Sequence, residues 1–185
     1  MDYLIKNAKV VDGTGAPAYT ADVAVTGDTI TQIGSINEPC ANTIDAAGRV
    51  LMPGIIDPHS HADAGIFNSD WSHQRITQGI TTEITGHCGP SPAPNCPENM
   101  ELLRRIYFDL TNTGVPFEWP FHDFKGWLDT VRAQKLSANY GFFVGHGTLR
   151  AYVMGGKTEK ASPAEIKAMQ ELLDEALSQG AMGLG

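Results

Sequence analysis

Two histidines one residue apart are the strongest chemical feature of this sequence. His59 and His61 follow Gly54-Ile-Ile-Asp57, a short apolar segment that we interpret as a buried strand. Residues i and i+2 of an extended segment point to the same side, so both imidazoles can bind one metal ion as the strand ends. The alternative is a pair of polar loop residues without a ligand. The apolar strand directly before the pair favours the metal site.

A single cysteine follows the next strand-like segment. Residues 80–85 read Ile-Thr-Thr-Glu-Ile-Thr, which is typical of a strand, and Cys88 comes shortly after them in a glycine-rich loop. A thiolate at the end of a strand is a good zinc ligand. The alternative is a small buried apolar side chain, which is the commoner role of a lone cysteine. Adjacent strand residues face opposite ways, so we assign the neighbouring His87 to a structural contact or a contact outside the metal ligands.

The elements that must position these residues fall into two regions. Residues 1–52 contain short strand-like segments separated by turn signals, and Gly27-Asp28 suits a two-residue hairpin. We therefore predict a small antiparallel β unit there. From residue 53 to residue 185, strand-like and helical segments alternate, which is typical of an α/β domain with a parallel sheet or a barrel.

Four helices are predicted in the second region, over residues 69–78, 97–113, 121–134 and 163–179. The last is the clearest, because Ser162-Pro-Ala-Glu165 is a capping box and Gly180 suits the end of a helix. A complete (β/α)8 barrel requires about 250 residues. We therefore predict the α/β class, with about the first three to four strands of a TIM-type barrel in residues 53–185, and we expect the chain to be truncated.

The composition argues against several kinds of partner. Charged residues make up 18% and hydrophobic residues 42%, which indicates a globular chain, and the formal net charge of −8 disfavours nucleic acid and anionic membranes. No apolar run reaches the length of about 20 residues that a membrane span needs. The N-terminus does not resemble a signal peptide, and three cysteines at irregular spacing do not suggest a disulfide framework. We therefore expect a soluble, cytoplasmic protein.

Several longer strings resemble one enzyme family. PGIIDPHSHAD, residues 53–63, is similar to the signature of the metal-dependent amidohydrolase superfamily. QGITTEITGHCGPSPAP, residues 78–94, and VGHGTLR, residues 144–150, resemble the D-aminoacylase (N-acyl-D-amino-acid deacylase) family in the same order. The resemblance covers essentially the whole chain. It implies that residues 1–52 belong to a β-sandwich and that the activity is zinc-dependent hydrolysis of the amide bond of a small N-acyl-D-amino acid.

The same resemblance implies roles for individual residues. His59, His61 and Cys88 match the family's metal ligands, which hold one or two zinc ions. We expect further residues to line the pocket or to support the ligands, namely Asp57, Asp63, His87, Ser91, His146 and Arg150. Asp57 is expected to orient the histidine turn. For His146 and Arg150 the alternative is hydrogen bonding within a loop.

The resemblance also implies that the catalytic residues are incomplete. The family's general-base aspartate matches no residue here, so we expect weak or no hydrolysis by the 185-residue chain, together with self-association or pairing with a complementing C-terminal half. Two other functions stay open. One is a related amidohydrolase acting on cyclic amides, dipeptides or other N-acyl compounds, and the other is a non-catalytic metal-binding fragment that needs a partner chain.

Overall fold

The computed structural model describes residues 1–63, 65–67, 69–111 and 119–185. These residues form two compact units, Met1–Gly54 and Ile55–Gly185. The regular elements of the first unit are strands, whereas the second combines strands with helices. The chain therefore has a mixed α/β fold. No helix in the described ranges is both long and apolar enough to cross a membrane.

The first unit is a five-stranded sheet. Its strands are β1 (Tyr3–Val10), β2 (Tyr19–Thr26), β3 (Thr29–Gly34), β4 (Thr43–Asp45) and β5 (Val50–Leu51). The order is β3-β2-β1-β4, with β5 also paired to β1. The predicted hairpin is confirmed, because Gly27 and Asp28 join β2 to β3 and Gly27 has a φ of 59°.

The prediction of a purely antiparallel unit is wrong. Strand β1 pairs with β2 in the antiparallel sense but with β4 and β5 in the parallel sense, so the sheet is mixed. The reason is the connection after β3. Residues 35–42 return the chain to the far side of β1 instead of forming another hairpin, and a strand entered in this way runs parallel to β1.

A buried aspartate supports the irregular part of this sheet. The pairing of β1 with β2 shifts register between Ile5 and Ala8, and Asn7 there has a positive φ of 56°. The Asn7 N–H donates to Asp22 Oδ1 at 2.9 Å, and the Ile36 N–H donates to Asp22 Oδ2 at 3.1 Å. These two backbone donors lower the pKa of the Asp22 carboxyl, because they favour its charged form.

The second unit contains a three-stranded parallel sheet. Its strands are β6 (Ile55–Asp57), β7 (Ile80–Thr85) and β8 (Asn139–Phe142), in the order β6-β7-β8. Its helices are α1 (Ser69–Ile76), α2 (Pro97–Thr111), α3 (Phe124–Arg132), α4 (His146–Met154) and α5 (Pro163–Gln179). A single parallel bridge joins Val144 to Leu184 beyond β8. Consecutive strands are thus neighbours, and helices lie in the connections between them.

The apolar faces of α3 and α5 pack into one core with β8. Phe124, Trp127 and Phe142 are at most 5% exposed, and the ring centroids of Trp127 and Phe142 lie 5.4 Å apart. The predicted capping box of α5 is confirmed, with Ser162 Oγ accepting from the Glu165 N–H at 3.3 Å and the Glu165 carboxylate accepting from the Ser162 N–H at 2.8 Å. Burial of their apolar faces therefore holds α3 and α5 in place, and the capping box also stabilises the start of α5.

The four predicted helices are present but differ at some ends, since α1 ends at Ile76 rather than residue 78 and α3 ends at Arg132 rather than residue 134. Helix α3 starts at Phe124 rather than residue 121, because the Asp123 side chain accepts from the Gly126 N–H and ends the preceding loop. Helix α4 was not predicted, since the sequence around His146 carries two glycines. The last two residues of the predicted helix 97–113 lie outside the described ranges.

Candidate metal centre

The two histidines lie in the turn that follows β6. The His59 N–H donates to Asp57 Oδ1 at 3.1 Å, so the last residue of the strand holds the start of the turn. The imidazole centroids of His59 and His61 are 5.6 Å apart with an interplanar angle of 68°. His59 is exposed and His61 is half-buried. The turn therefore presents both rings on one side of the chain, as the i, i+2 spacing predicts.

Cys88 lies in the loop after β7, next to His59. Its Sγ lies 3.3 Å from His59 Nε2, and its thiol is not in a disulfide. The loop approaches its neighbours closely, because a Cβ on Gly86 would stand 2.1 Å from the Phe143 carbonyl oxygen. Cys88 itself has a positive φ of 59°, a conformation that L-residues other than asparagine and aspartate seldom adopt. Strained backbone of this kind clusters at functional sites.

The ligand atoms of His59, His61 and Cys88 all lie within 4.8 Å of one another. In a tetrahedral zinc site, with bonds of about 2.1 Å to nitrogen and 2.3 Å to sulfur, a nitrogen and a sulfur ligand lie about 3.6 Å apart. The separation of 3.3 Å between His59 Nε2 and Cys88 Sγ is close to that value. Two imidazoles and a thiol therefore fit a zinc ion in both chemistry and spacing, and three protein ligands leave one position open for water or substrate.

The surroundings of His61 favour its neutral imidazole, because they lower its pKa. Burial lowers the pKa of His61, and the charges of His59 and His87 lower it further. A metal ion binds histidine through a deprotonated ring nitrogen, so a lowered pKa keeps that nitrogen available in more acidic solution.

His87 packs behind the first histidine. Its ring stacks on the His59 ring, with centroids 4.2 Å apart and an interplanar angle of 19°, and it meets the edge of Phe143 at 5.1 Å. Its Nε2 is buried and has no hydrogen-bond partner among the described residues. His87 thus touches a candidate ligand from the side, and a role outside the metal ligands stays a prediction.

Asp63 and Ser91 are buried beside the two loops. Asp63 is 1% exposed, and its Oδ2 accepts from the Gly86 N–H at 3.1 Å. Ser91 is fully buried; its hydroxyl donates to the Ala93 carbonyl at 2.7 Å and accepts from the Gly145 N–H at 2.9 Å. Both side chains therefore tie loops together at the carboxyl ends of the strands.

His146 and Arg150 lie on α4 and have different surroundings. His146 is the exposed first residue of that helix, and its N–H donates to the Gly185 carbonyl at 2.9 Å. The Arg150 guanidinium donates to the carbonyls of Lys157 and Glu159 at 3.1 and 2.6 Å. These contacts match the alternative of loop hydrogen bonding for Arg150, and the metal-ligand cluster contains neither residue.

Two charged residues next to the cluster were not predicted from the sequence. Glu83 of β7 is fully buried, and Arg75 of α1 lies 3.1 Å from Asp57 Oδ2 and 3.7 Å from Glu83 Oε2. The available signal was a glutamate inside a β-rich apolar segment, since charged residues are almost never fully buried without a partner. Burial first, and then the charge of Glu83, raise the pKa of Tyr140 on the neighbouring strand to about 12.

The chain is similar to several known proteins over almost its whole length. The D-aminoacylase of Alcaligenes xylosoxydans xylosoxydans is 37% identical over 99% of this chain and 37% of its own length. A crystal structure of D-aminoacylase superposes with a TM-score of 0.82 at 38% identity, over 99% of this chain and 38% of that one. The N-acyl-D-glutamate deacylase of Bordetella bronchiseptica, solved with zinc and a phosphonate inhibitor, has a TM-score of 0.82 at 33% identity, over 99% of this chain and 37% of that one.

This chain thus spans about two fifths of the length of the relatives that it matches. The sequence profile of the amidohydrolase family matches residues 42–185, which is well over half of the chain and includes all three candidate metal ligands. On that match, the chain belongs to the amidohydrolase family.

Proposed function

We propose that this chain contributes to a zinc-dependent amidohydrolase that cleaves the amide bond of N-acyl-D-amino acids. The observation that carries the proposal is the cluster of His59, His61 and Cys88, whose ligand atoms lie within 4.8 Å of one another. A relative that superposes along almost the whole chain is named an N-acyl-D-glutamate deacylase and was solved with zinc. The class of substrate and the metal are taken from such relatives.

The fold that we propose for the site is the first part of a (β/α) barrel. Strands β6, β7 and β8 are parallel and adjacent in chain order, and the Val144–Leu184 bridge continues the same sense of pairing. The candidate ligands follow the carboxyl ends of β6 and β7, where barrel enzymes have their active sites. Residues 1–52 are proposed as a portion of a β-sandwich and residues 53–185 as the partial barrel.

The ligand roles follow from the side chains. His59 and His61 would bind the ion through neutral ring nitrogens and Cys88 through its thiolate. Bound zinc supplies a Lewis acid for the amide carbonyl and lowers the pKa of a coordinated water. One or two ions are compatible with the donor set proposed here.

The general base stays unassigned. Amide hydrolysis of this kind needs a group that takes a proton from water and returns one to the leaving amine. Asp57 accepts from the His59 N–H and pairs with Arg75, while Asp63 accepts from the buried Gly86 N–H. Both carboxylates beside the cluster are therefore engaged in holding the loops, and neither is proposed as the base.

Association with a complementing polypeptide or with a second copy is also proposed. Apolar side chains on β6 and near the Val144–Leu184 bridge are exposed, with Ile56 at 61%, Met182 at 59% and Leu184 at 50%. Exposed apolar residues at neighbouring strands favour contact with further protein.

The first test is zinc binding by the full chain. Zinc affinity is measured by competition with a chromophoric chelator for the wild type and for His59→Ala, His61→Ala and Cys88→Ser. We expect one high-affinity ion in the wild type and a marked loss in each variant. Zinc affinity that does not depend on these three residues would contradict the proposed site.

The second test separates the candidate activities. Hydrolysis of N-acetyl-D- and N-acetyl-L-amino acids, a hydantoin and a dipeptide is followed with zinc-loaded chain, alone and mixed with a polypeptide that carries the remaining length of a D-aminoacylase. Cleavage restricted to the D-acyl compounds supports the proposal. Preferential cleavage of the hydantoin or the dipeptide supports the related amidohydrolase. Tight zinc binding without hydrolysis of any substrate, both by the chain alone and by the mixture, supports a non-catalytic fragment.

A further inference from the structure

A buried carboxylate lies directly next to the turn that carries the two histidines. Glu83, in the middle of β7, is fully buried. Its Oε2 accepts the Ser60 hydroxyl at 2.5 Å, and Ser60 is the residue between His59 and His61. Removing a carboxylate from water is unfavourable unless strong hydrogen bonds and an opposite charge compensate it. The Ser60 hydroxyl and the Arg75 guanidinium at 3.7 Å supply part of this compensation through Oε2, while Oε1 is buried without a hydrogen-bond partner among the described residues.

Ser60 connects Glu83 to the backbone of the histidine turn. Its N–H donates to the Ile84 carbonyl at 2.9 Å, its hydroxyl donates to Glu83, and the same hydroxyl accepts from the Ala62 N–H at 3.2 Å. The turn is thus bonded to β7 through both main chain and side chain. Because these bonds lie on either side of the Ser60 Cα, they restrict the backbone dihedral angles that aim the histidine side chains.

Arg75 links this contact to the start of the turn. Its Nη1 lies 3.1 Å from Asp57 Oδ2 and 3.7 Å from Glu83 Oε2, and Asp57 Oδ1 accepts from the His59 N–H at 3.1 Å. Asp57 and Glu83 are directly paired across β6 and β7, where two like charges would repel each other. The guanidinium of α1 offsets that repulsion, so one arginine holds two carboxylates that each bond to the turn.

Folding alone does not account for such a network. Apolar side chains of similar volume in place of a buried ion pair are often equally stable or more stable, because they avoid desolvation. Hydrogen bonds differ from apolar contacts because they favour particular angles between donor and acceptor, and they therefore fix the orientation of the groups that they join. A metal site needs that direction, since the groups that hydrogen-bond around metal ligands set ligand orientation and affinity.

We propose that Glu83 and Arg75 are positioning residues, which act through Ser60 and Asp57 to hold the turn so that both imidazoles reach the same metal ion. This inference rests on the proposed metal site and deepens it. Neither residue touches the ion or the substrate in this proposal. Their effect is to be measured in the geometry and affinity of metal binding rather than in turnover.

The test uses the full chain with Ser60→Ala and Glu83→Gln, singly and together. Zinc affinity is measured by competition with a chelator, and the visible absorption spectrum of the Co²⁺-substituted chain reports the coordination geometry. We expect each single variant to bind zinc roughly 10- to 100-fold more weakly, which is the usual effect of changing a group that supports a metal ligand. The double variant should lose less than the product of the two single losses, because both changes break the same bond.

A matched control separates positioning from general destabilisation. Ser162→Ala removes a capping bond of α5 in the same unit, far along the chain from the candidate ligands. It should lower the stability of the second unit to urea while leaving the zinc affinity and the Co²⁺ spectrum as in the wild type. Equal losses of zinc affinity in the control and in Ser60→Ala would overturn the inference.

The outcomes distinguish this inference from the proposed function. If the wild type binds zinc and His59→Ala does not, while folded Ser60→Ala and Glu83→Gln bind as the wild type does, the inference is wrong and the metal site stands. If the wild type does not bind zinc, both are wrong. If either variant fails to fold by circular dichroism, Arg75→Lys decides, since it keeps the charge but not the planar fork. Weaker zinc binding by folded Arg75→Lys supports the inference, and wild-type affinity overturns it.

Discussion

The positive φ of Cys88 leads to a prediction about strain at the candidate metal site. With a φ of 59°, this residue occupies a conformation that glycine adopts without cost. We expect Cys88→Gly to be more stable than Cys88→Ala, although neither variant has a thiol. Glycine is normally the less stable choice, so the predicted order is the reverse of the usual one.

The size of the difference follows from two opposing effects. A left-handed conformation costs an L-residue about 1.5 kcal/mol in the folded state. Glycine loses about 0.7 kcal/mol more than alanine in unfolded-chain entropy on folding. The net advantage of Cys88→Gly over Cys88→Ala is therefore about 0.8 kcal/mol.

Urea unfolding followed by tryptophan fluorescence measures this difference in the second unit. The three tryptophans, Trp71, Trp119 and Trp127, all belong to residues 55–185. The matched control is the same exchange at Gln170, an exposed residue inside α5. There Gln170→Gly should be about 0.9 kcal/mol less stable than Gln170→Ala, because glycine disfavours a helix.

The reasoning is refuted if the two positions rank glycine and alanine in the same order. Zinc affinity adds a second criterion. Both Cys88 variants should lose zinc affinity to a similar extent, since the thiol is absent in each. If the Cys88→Gly chain is more stable than the wild type without zinc but binds zinc poorly, the strained backbone of Cys88 lowers stability and serves zinc binding instead.

Three further predictions concern other parts of the chain. Ser162→Ala should destabilise the second unit by about 1 kcal/mol in urea unfolding through loss of the capping bond, and no change would mean that the capping box does not contribute. Gly145→Ala should cost about 1–3 kcal/mol and weaken zinc binding, because the new Cβ would stand 2.1 Å from the Gly89 carbonyl oxygen of the cysteine loop, whereas Gly156→Ala faces open space and should be neutral. The pKa of Asp22 is lowered from 3.8 in the folded chain, so its contribution is present above about pH 4 and is lost as the pH falls. The amide NMR signals of the first unit should therefore show a stability difference between wild type and Asp22→Asn that shrinks with acid, and a difference that grows would contradict this sign.

Local patterns were sufficient for much of the fold and for the candidate ligands. The capping box at Ser162 and the hairpin at Gly27 depend on residues within four positions of each other, so the chain specifies them without distant contacts. His59 and His61 were identified because the strand period puts them on one side, whatever packs around them. Cys88 is different, because its position after a strand left a buried apolar role open and only the resemblance of residues 78–94 to the D-aminoacylase family assigned it as a ligand.

Long-range contacts decided what the sequence alone did not show. The parallel pairing of β4 and β5 with β1 depends on the course of residues 35–42, which connect β3 to β4. The local sequence pattern does not predict that course. Helix α4 forms despite glycines at positions 145 and 147, both of which pack so closely on Gly89 that a Cβ would approach its carbonyl oxygen to less than 3 Å. Tertiary packing here overrides the weak helix propensity of glycine.

The sequence by itself indicated the candidate metal ligands, partly through a family resemblance, and the strands that precede them. Only the tertiary structure showed the contacts around the histidine turn, because Ser60 bonds to Glu83, which is 23 residues away in the chain, and Asp57 bonds to Arg75, which is 18 residues away. Ligand identity follows from the types and spacing of residues, which are local. We infer that ligand orientation depends on the contacts of Glu83, Asp57 and Arg75, and these contacts exist only once the chain has folded.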